Sequence, residues 1–197
     1  MNLYIKLTIL VILIVTCLFC SSCGFQSKSK NMSGKTDIKT KSLPTAQDAV
    51  NAVIAQDTKE LAFILEKVPK LADTVEGNGY TLLHMAVWKD NARLAKIILG
   101  NKANVELKNK YGFTAMHELV RCDESNDRKE ILEMIILRRG DVNALSDNGN
   151  TPLDIAEIQD KQDFARVLKH YGAKRVRQNI DLPPVPAFAK KKSEIIE

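Results

Sequence analysis

The chain has 197 residues, 45% hydrophobic and 27% charged, with a formal net charge of +5 at pH 7. That length suits one domain, two at most. The charge is spread along the chain with no basic helix face, which argues against a dedicated nucleic-acid surface. Of four cysteines, Cys17, Cys20 and Cys23 crowd the N-terminus and Cys122 stands in the body, so neither a disulfide framework nor a paired metal spacing follows.

Residues 1–23 open with a single lysine, Lys6. A charge-free run of 14 residues follows, Leu7 to Cys20, and then Ser21-Ser22-Cys23. This is the order of a targeting segment: positive n-region, apolar h-region, small-residue site. The run is shorter than the roughly 20 apolar residues of a bilayer span. Leu18 to Gly24 resembles the bacterial lipoprotein signal, which implies a signal peptide over 1–22 and a lipidated Cys23 as the mature N-terminus. Cys20 departs from that pattern, standing where leucine is favoured. An ordinary cleaved signal and an uncleaved short anchor stay open beside it. Residues 24–44 hold mainly Ser, Lys, Thr, Gly and Asn, too little apolar surface to fold. As a flexible tether they span about 25 Å.

From about Ala46 the chain repeats. Thr81-Leu82-Leu83-His84-Met85-Ala86 returns as Thr114-Ala115-Met116-His117-Glu118-Leu119 and as Thr151-Pro152-Leu153-Asp154-Ile155-Ala156. The steps are 114 − 81 = 33 and 151 − 114 = 37 residues, and each copy follows a glycine: Gly79, Gly112, Gly149. Glycine permits a tight turn, threonine caps a helix, and Pro152 suits the first helical position. Leu83 with Ala86, Met116 with Leu119, and Leu153 with Ala156 form one apolar stripe.

The spacing predicts helices at Leu82–Lys89 and Ala92–Leu99, Ala115–Arg121 and Arg128–Arg138, and Pro152–Gln159 and Gln162–His170. Cys122 to Asp127 lengthens one inter-helix turn. One period before Gly79 falls at residue 79 − 33 = 46. In that register Asp48 takes the threonine place and Asn51 the histidine place, as a degenerate N-terminal cap. Residues 175–197 carry three prolines near Pro183 and three lysines, Lys190 to Lys192. Ile180–Phe188 is expected to be partly ordered. The lysines read as a solvated end, or as a contact for acidic lipid or cell-wall polymer.

This glycine-threonine pattern at a period near 33 resembles the ankyrin repeat. The resemblance implies an all-α solenoid of about four helix-turn-helix repeats over residues 45–174. It implies structural roles for Thr81, His84, Thr114, His117, Thr151 and Pro152, with each histidine held by its capping threonine and nearby backbone. His84 and His117 would lie one repeat apart, about 10 Å. That is too far to share a zinc with bonds of about 2.0–2.1 Å. Cys122 has no orienting base, and no phosphate loop or nucleophile elbow is present. No catalytic residue, metal or cofactor is therefore expected, and no small-molecule substrate.

In ankyrin proteins the turn before the hexad and the outer end of the first helix form a concave binding surface. Carried onto this chain, the protein-binding positions are Tyr80, Trp88, Lys89, Lys110, Tyr111, Phe113, Arg121, Asn148 and Asn150. Tyr, Trp and Arg are typical interface anchors. The alternative for Tyr111 and Phe113 is packing on neighbouring hairpins. The expectation is a monomeric, non-catalytic module that binds a protein partner, held by lipid on a membrane and facing the periplasm or cell surface. An inhibitor of an envelope toxin or enzyme and a structural envelope linker are the rival readings.

Overall fold

A computed structural model describes residues 43–176, 182–186 and 188. The signal, Cys23, most of the tether, Ile180 and the three lysines lie outside the described residues.

Eight α-helices pair into four hairpins among the described residues. They are α1 (Ala46–Ile54) with α2 (Thr58–Lys67), α3 (Leu82–Trp88) with α4 (Ala92–Gly100), α5 (Ala115–Arg121) with α6 (Asn126–Leu137), and α7 (Pro152–Ile158) with α8 (Gln162–His170). Each first helix packs on the next first helix, α1 on α3, α3 on α5 and α5 on α7. The second helices α2, α4 and α6 form a parallel row. Leu83, Ala86, Met116, Leu119, Leu153 and Ala156 are all buried, so the sequence stripe is the seam between hairpins. A two-residue antiparallel ribbon, Val75–Glu76 against Tyr80–Thr81, forms the turn that enters α3.

The hexad works as a cap. Thr81, Thr114 and Thr151 are the N-cap residues of α3, α5 and α7, and the residue at N3 returns a side-chain bond to the threonine amide. For His84 the acceptor is Nδ1, 3.2 Å from the Thr81 nitrogen. Its Nε2 then donates across the repeat boundary to the Phe113 carbonyl at 2.9 Å. His117 does the same, with Thr114 behind it and the Asn150 carbonyl ahead at 3.1 Å. In the last hairpin the group ahead is an amide. Asp154 accepts from Thr151 through Oδ2 and from Val176 through Oδ1, both at 2.8 Å. The change from histidine to aspartate follows the change from carbonyl to N–H.

Two boundaries differ from the sequence reading. The first hexad starts at Thr45, not Asp48: Thr45 caps α1 and Asp48 returns the bond at N3. The true offset is 81 − 45 = 36 residues, because a 3₁₀ turn over Pro69–Asp73 lengthens the exit from α2. The 122–127 insertion also lengthens the helix rather than only the loop: α6 begins at Asn126 and has 12 residues, against 9 in α4. Insertion side chains then cap both neighbours. Asp127 accepts from the Ala92 amide at the start of α4. Glu124 accepts from the Asp163 and Phe164 amides at 2.8 and 3.0 Å. Lys161, the N-cap residue of α8, makes no capping bond of its own.

Candidate functional site

The turns before α5 and α7 are held by their own polar side chains, Asn109 and Ser146. The Asn109 amide donates to the Phe113 carbonyl, and its Oδ1 accepts from the amides of Tyr111 and Phe113. Successive turns are tied together: the Lys110 amide donates to the Asn78 carbonyl at 3.0 Å. Gly112, at φ +71°, lies against the next turn, where a Cβ would stand 2.2 Å from Asp147 Oδ1. The turns and the C-terminal ends of α3 and α5 thus form one continuous surface.

Beneath it lies a buried ion pair. Arg121 Nη1 bonds Glu118 Oε2 at 2.7 Å, with both side chains almost fully covered. Asn109 Nδ2 donates to the other Glu118 oxygen at 2.8 Å. Burial pushes the Glu118 carboxyl upward, opposed by Arg121 and Asn109. Above the pair, the Arg121 guanidinium sits 5.7 Å from the Trp88 ring centre and 5.4 Å from that of Phe113. Lys110 Nζ lies 4.9 Å over Tyr111. The indole N–H of Trp88 and Nε of Arg121 are buried donors with no acceptor among the described residues.

The nine positions expected on the binding face divide. Lys110, Tyr111, Phe113 and Asn148 line a cleft of about 310 Å³ with Asp147, and Arg121 joins Trp88 to Phe113. Tyr80, Phe113 and Asn150 are not free surface, being only 2%, 0% and 1% exposed. Phe113 stacks on the His117 ring, 5.2 Å away. Asn150 is framework: its carbonyl accepts from both His117 and the Ser146 amide. Tyr80 packs edge-on to His84 and to Phe188. Its hydroxyl lies beside the Glu118 carboxylate without a hydrogen bond of ordinary geometry. Trp88 and Tyr111 are half-buried and Lys110 is exposed.

The cleft has a further wall, from the segment expected to be partly ordered but given no resting place by the sequence. Leu182 and Pro183, from beyond the last hairpin, line it. Arg121 Nη2 donates to the Pro183 carbonyl, and Lys89 Nζ donates to the Phe188 carbonyl at 2.9 Å. Glu118 was also missed, although it carried a signal: it stands where Met85 and Ile155 stand in the other hexads.

The histidines are not a reactive pair. Burial pushes both rings down to about 4, so they are neutral at pH 7 with the proton on Nε2. Burial likewise pushes the Cys122 thiol up to about 12, and its Sγ–H donates to the Glu118 carbonyl. Among the described residues no cluster of His, Cys, Asp and Glu is placed to hold a metal ion.

Helical hairpins stacked in series, each contacting its neighbours, define a repeat solenoid. Residues 83–179 match the family described as ankyrin repeats, in three copies, and the chain carries ankyrin repeats. The hairpin of α1 and α2 lies before the matched stretch. An ankyrin repeat protein, OPG189, of variola virus is 31% identical over 108 residues, covering 51% of this chain and 19% of the relative. A putative ankyrin repeat protein, FPV031, of fowlpox virus is 40% identical over 83 residues, 40% of this chain and 23% of the relative. The human transient receptor potential cation channel subfamily A member 1 is 33% identical over 101 residues, 51% of this chain and 9% of the channel. The chain therefore spans less than a quarter of each relative's length. Ankyrin repeats are in general a non-catalytic protein–protein interaction architecture.

Proposed function

We propose that this protein is a non-catalytic adaptor that holds a polypeptide partner on the face formed by the turns and the ends of α3 and α5. The observation that carries the reading is a cleft lined by Lys110, Tyr111 and Asn148, with the buried Phe113 joined through Arg121 to the half-buried Trp88 beside it. Aromatic rings and a guanidinium at a partly desolvated centre are the usual composition of a binding hot spot. The tied turns hold this surface rigid, so a partner loses little freedom by ordering it. Tyr111→Ala is expected to reduce partner capture from solubilised membranes by at least about tenfold with an unchanged Tm. Capture that survives this change, and also Lys110→Ala, contradicts the assignment.

We infer further that this module sits on a membrane outside the cytoplasm, anchored by lipid on Cys23. The reading rests on the n-region, the 14-residue apolar run and Ser21-Ser22-Cys23. An alkyne-fatty-acid label should enter the full-length protein and be lost in Cys23→Ala. Equal labelling of the two, or none in either, removes the anchor from the account.

A further inference from the structure

Resting on that reading of the cleft, we propose that its partner is an extended, proline-containing peptide. Residues 182–186 and 188 of this chain lie on that face, along one side of the cleft, as an internal ligand that an incoming peptide must displace.

The surface offers donors. Lys89 Nζ and Arg121 Nη2 already donate to main-chain carbonyls of this segment, and the Trp88 indole N–H and Arg121 Nε have no acceptor among the described residues. A ligand that suits such a surface is rich in carbonyl oxygens and poor in N–H groups. Pro183, Pro184 and Pro186 supply carbonyls and bring no amide hydrogen. Proline also holds the backbone extended before binding, so little entropy is lost.

The segment is anchored at both ends by apolar side chains. Leu182 and Phe188 pack against the buried core, and the Phe188 ring meets Tyr80 edge-on, centres 5.1 Å apart. Pro186 is buried between them in sequence, whereas Pro184 and Val185 face solvent. Among the described residues, Arg121 and Lys89 bond this segment through carbonyls, which any residue provides. Specificity therefore falls on the apolar ends and the prolines between them. Only five residues separate Val176 from Leu182 in the sequence, so the local concentration is on the order of millimolar.

The probe is a synthetic peptide of residues 180–190, titrated against the full chain and followed by the fluorescence of Trp88, the single tryptophan. Wild type is compared with a Leu182→Ala/Phe188→Ala chain whose own segment is loosened. A segment that closes the site nine-tenths of the time weakens an incoming peptide about tenfold. The variant is therefore expected to bind the peptide about tenfold more tightly than wild type. A peptide with alanine at its three proline positions is expected to bind the variant about tenfold more weakly.

Equal affinity in the two chains overturns the displacement. Equal affinity of the two peptides overturns the proline chemistry. A concentration-dependent dimer of wild type that dissociates in the variant assigns the segment to a second copy and overturns the internal arrangement. If neither chain binds the peptide while Tyr111→Ala still abolishes partner capture, this inference falls and the reading of the cleft as a protein-binding site stands.

Discussion

The Nε2–H of His84 donates to the Phe113 carbonyl 2.9 Å away, joining one hairpin to the turn of the next. The bond from the Thr81 amide to Nδ1 requires neutral imidazole, because the protonated ring has no lone pair there. Burial lowers the folded pKa to about 4, against 6.5 in the unfolded chain. Between those values the unfolded state binds the extra proton. The stability is therefore whole above pH 6.5 and is lost as pH falls toward 4, by about 3 kcal/mol per ring. His84→Gln should be less stable at pH 7 yet lose less between pH 6.5 and 4. Urea denaturation of both chains across that range reads the difference.

Glu118 and Arg121 form a buried pair whose members depend on each other. Glu118→Leu leaves the guanidinium and the Asn109 amide without their acceptor, and should cost about 3–5 kcal/mol. Removing both charges in Glu118→Leu/Arg121→Met should restore much of the loss, since an apolar pair carries no unpaired charge. Denaturant midpoints of the two variants check this; equal destabilisation would contradict it.

The hairpins were readable because each hexad encodes a cap and a stripe together. Threonine, its N3 partner and the apolar positions agree on one helix start. The first repeat slipped by three residues because the cap Thr45-x-x-Asp48 stays local while the Pro69–Asp73 turn changes the distance to the next copy. Tyr80 and Phe113 do stand at turn positions, as expected. Their burial depends on Phe188, His117 and Arg121, which arrive from elsewhere. The segment of residues 182–186 and 188 had no local signature of its resting place. Its bonds to Arg121 and Lys89 span 62 and 99 residues of chain, and they use backbone carbonyls that carry no residue identity.

The insertion after α5 acts on its neighbours' helices. Glu124 accepts from two amides at the start of α8, where Lys161 supplies no cap. Glu124→Ala should lower stability by about 1 kcal/mol, the usual cost of a lost N-cap. Amide exchange should rise mainly in α8, and an unchanged α8 would contradict the cap.

Gly112 and Gly100 should respond oppositely to alanine. At Gly112 the new methyl would meet Asp147 Oδ1 at 2.2 Å and its amide nitrogen at 2.4 Å, on a backbone at φ +71°. A loss of at least about 2 kcal/mol is expected, with the cleft distorted. At Gly100, the last residue of α4, nothing lies within 4 Å of the added methyl. A gain of about 0.5–1 kcal/mol is expected there. Thermal unfolding of the two variants gives the comparison.

The chain's own residues 182–186 and 188 lie along one side of the cleft, bonded to Arg121 and Lys89 and packed on Tyr80. Nuclear Overhauser contacts between the rings of Phe188 and Tyr80 in the full chain test this placement most directly. Cross-peaks between ring protons, from centres 5.1 Å apart, are the predicted result. A Phe188 ring with the shifts of a free residue and no cross-peak to Tyr80 would contradict it.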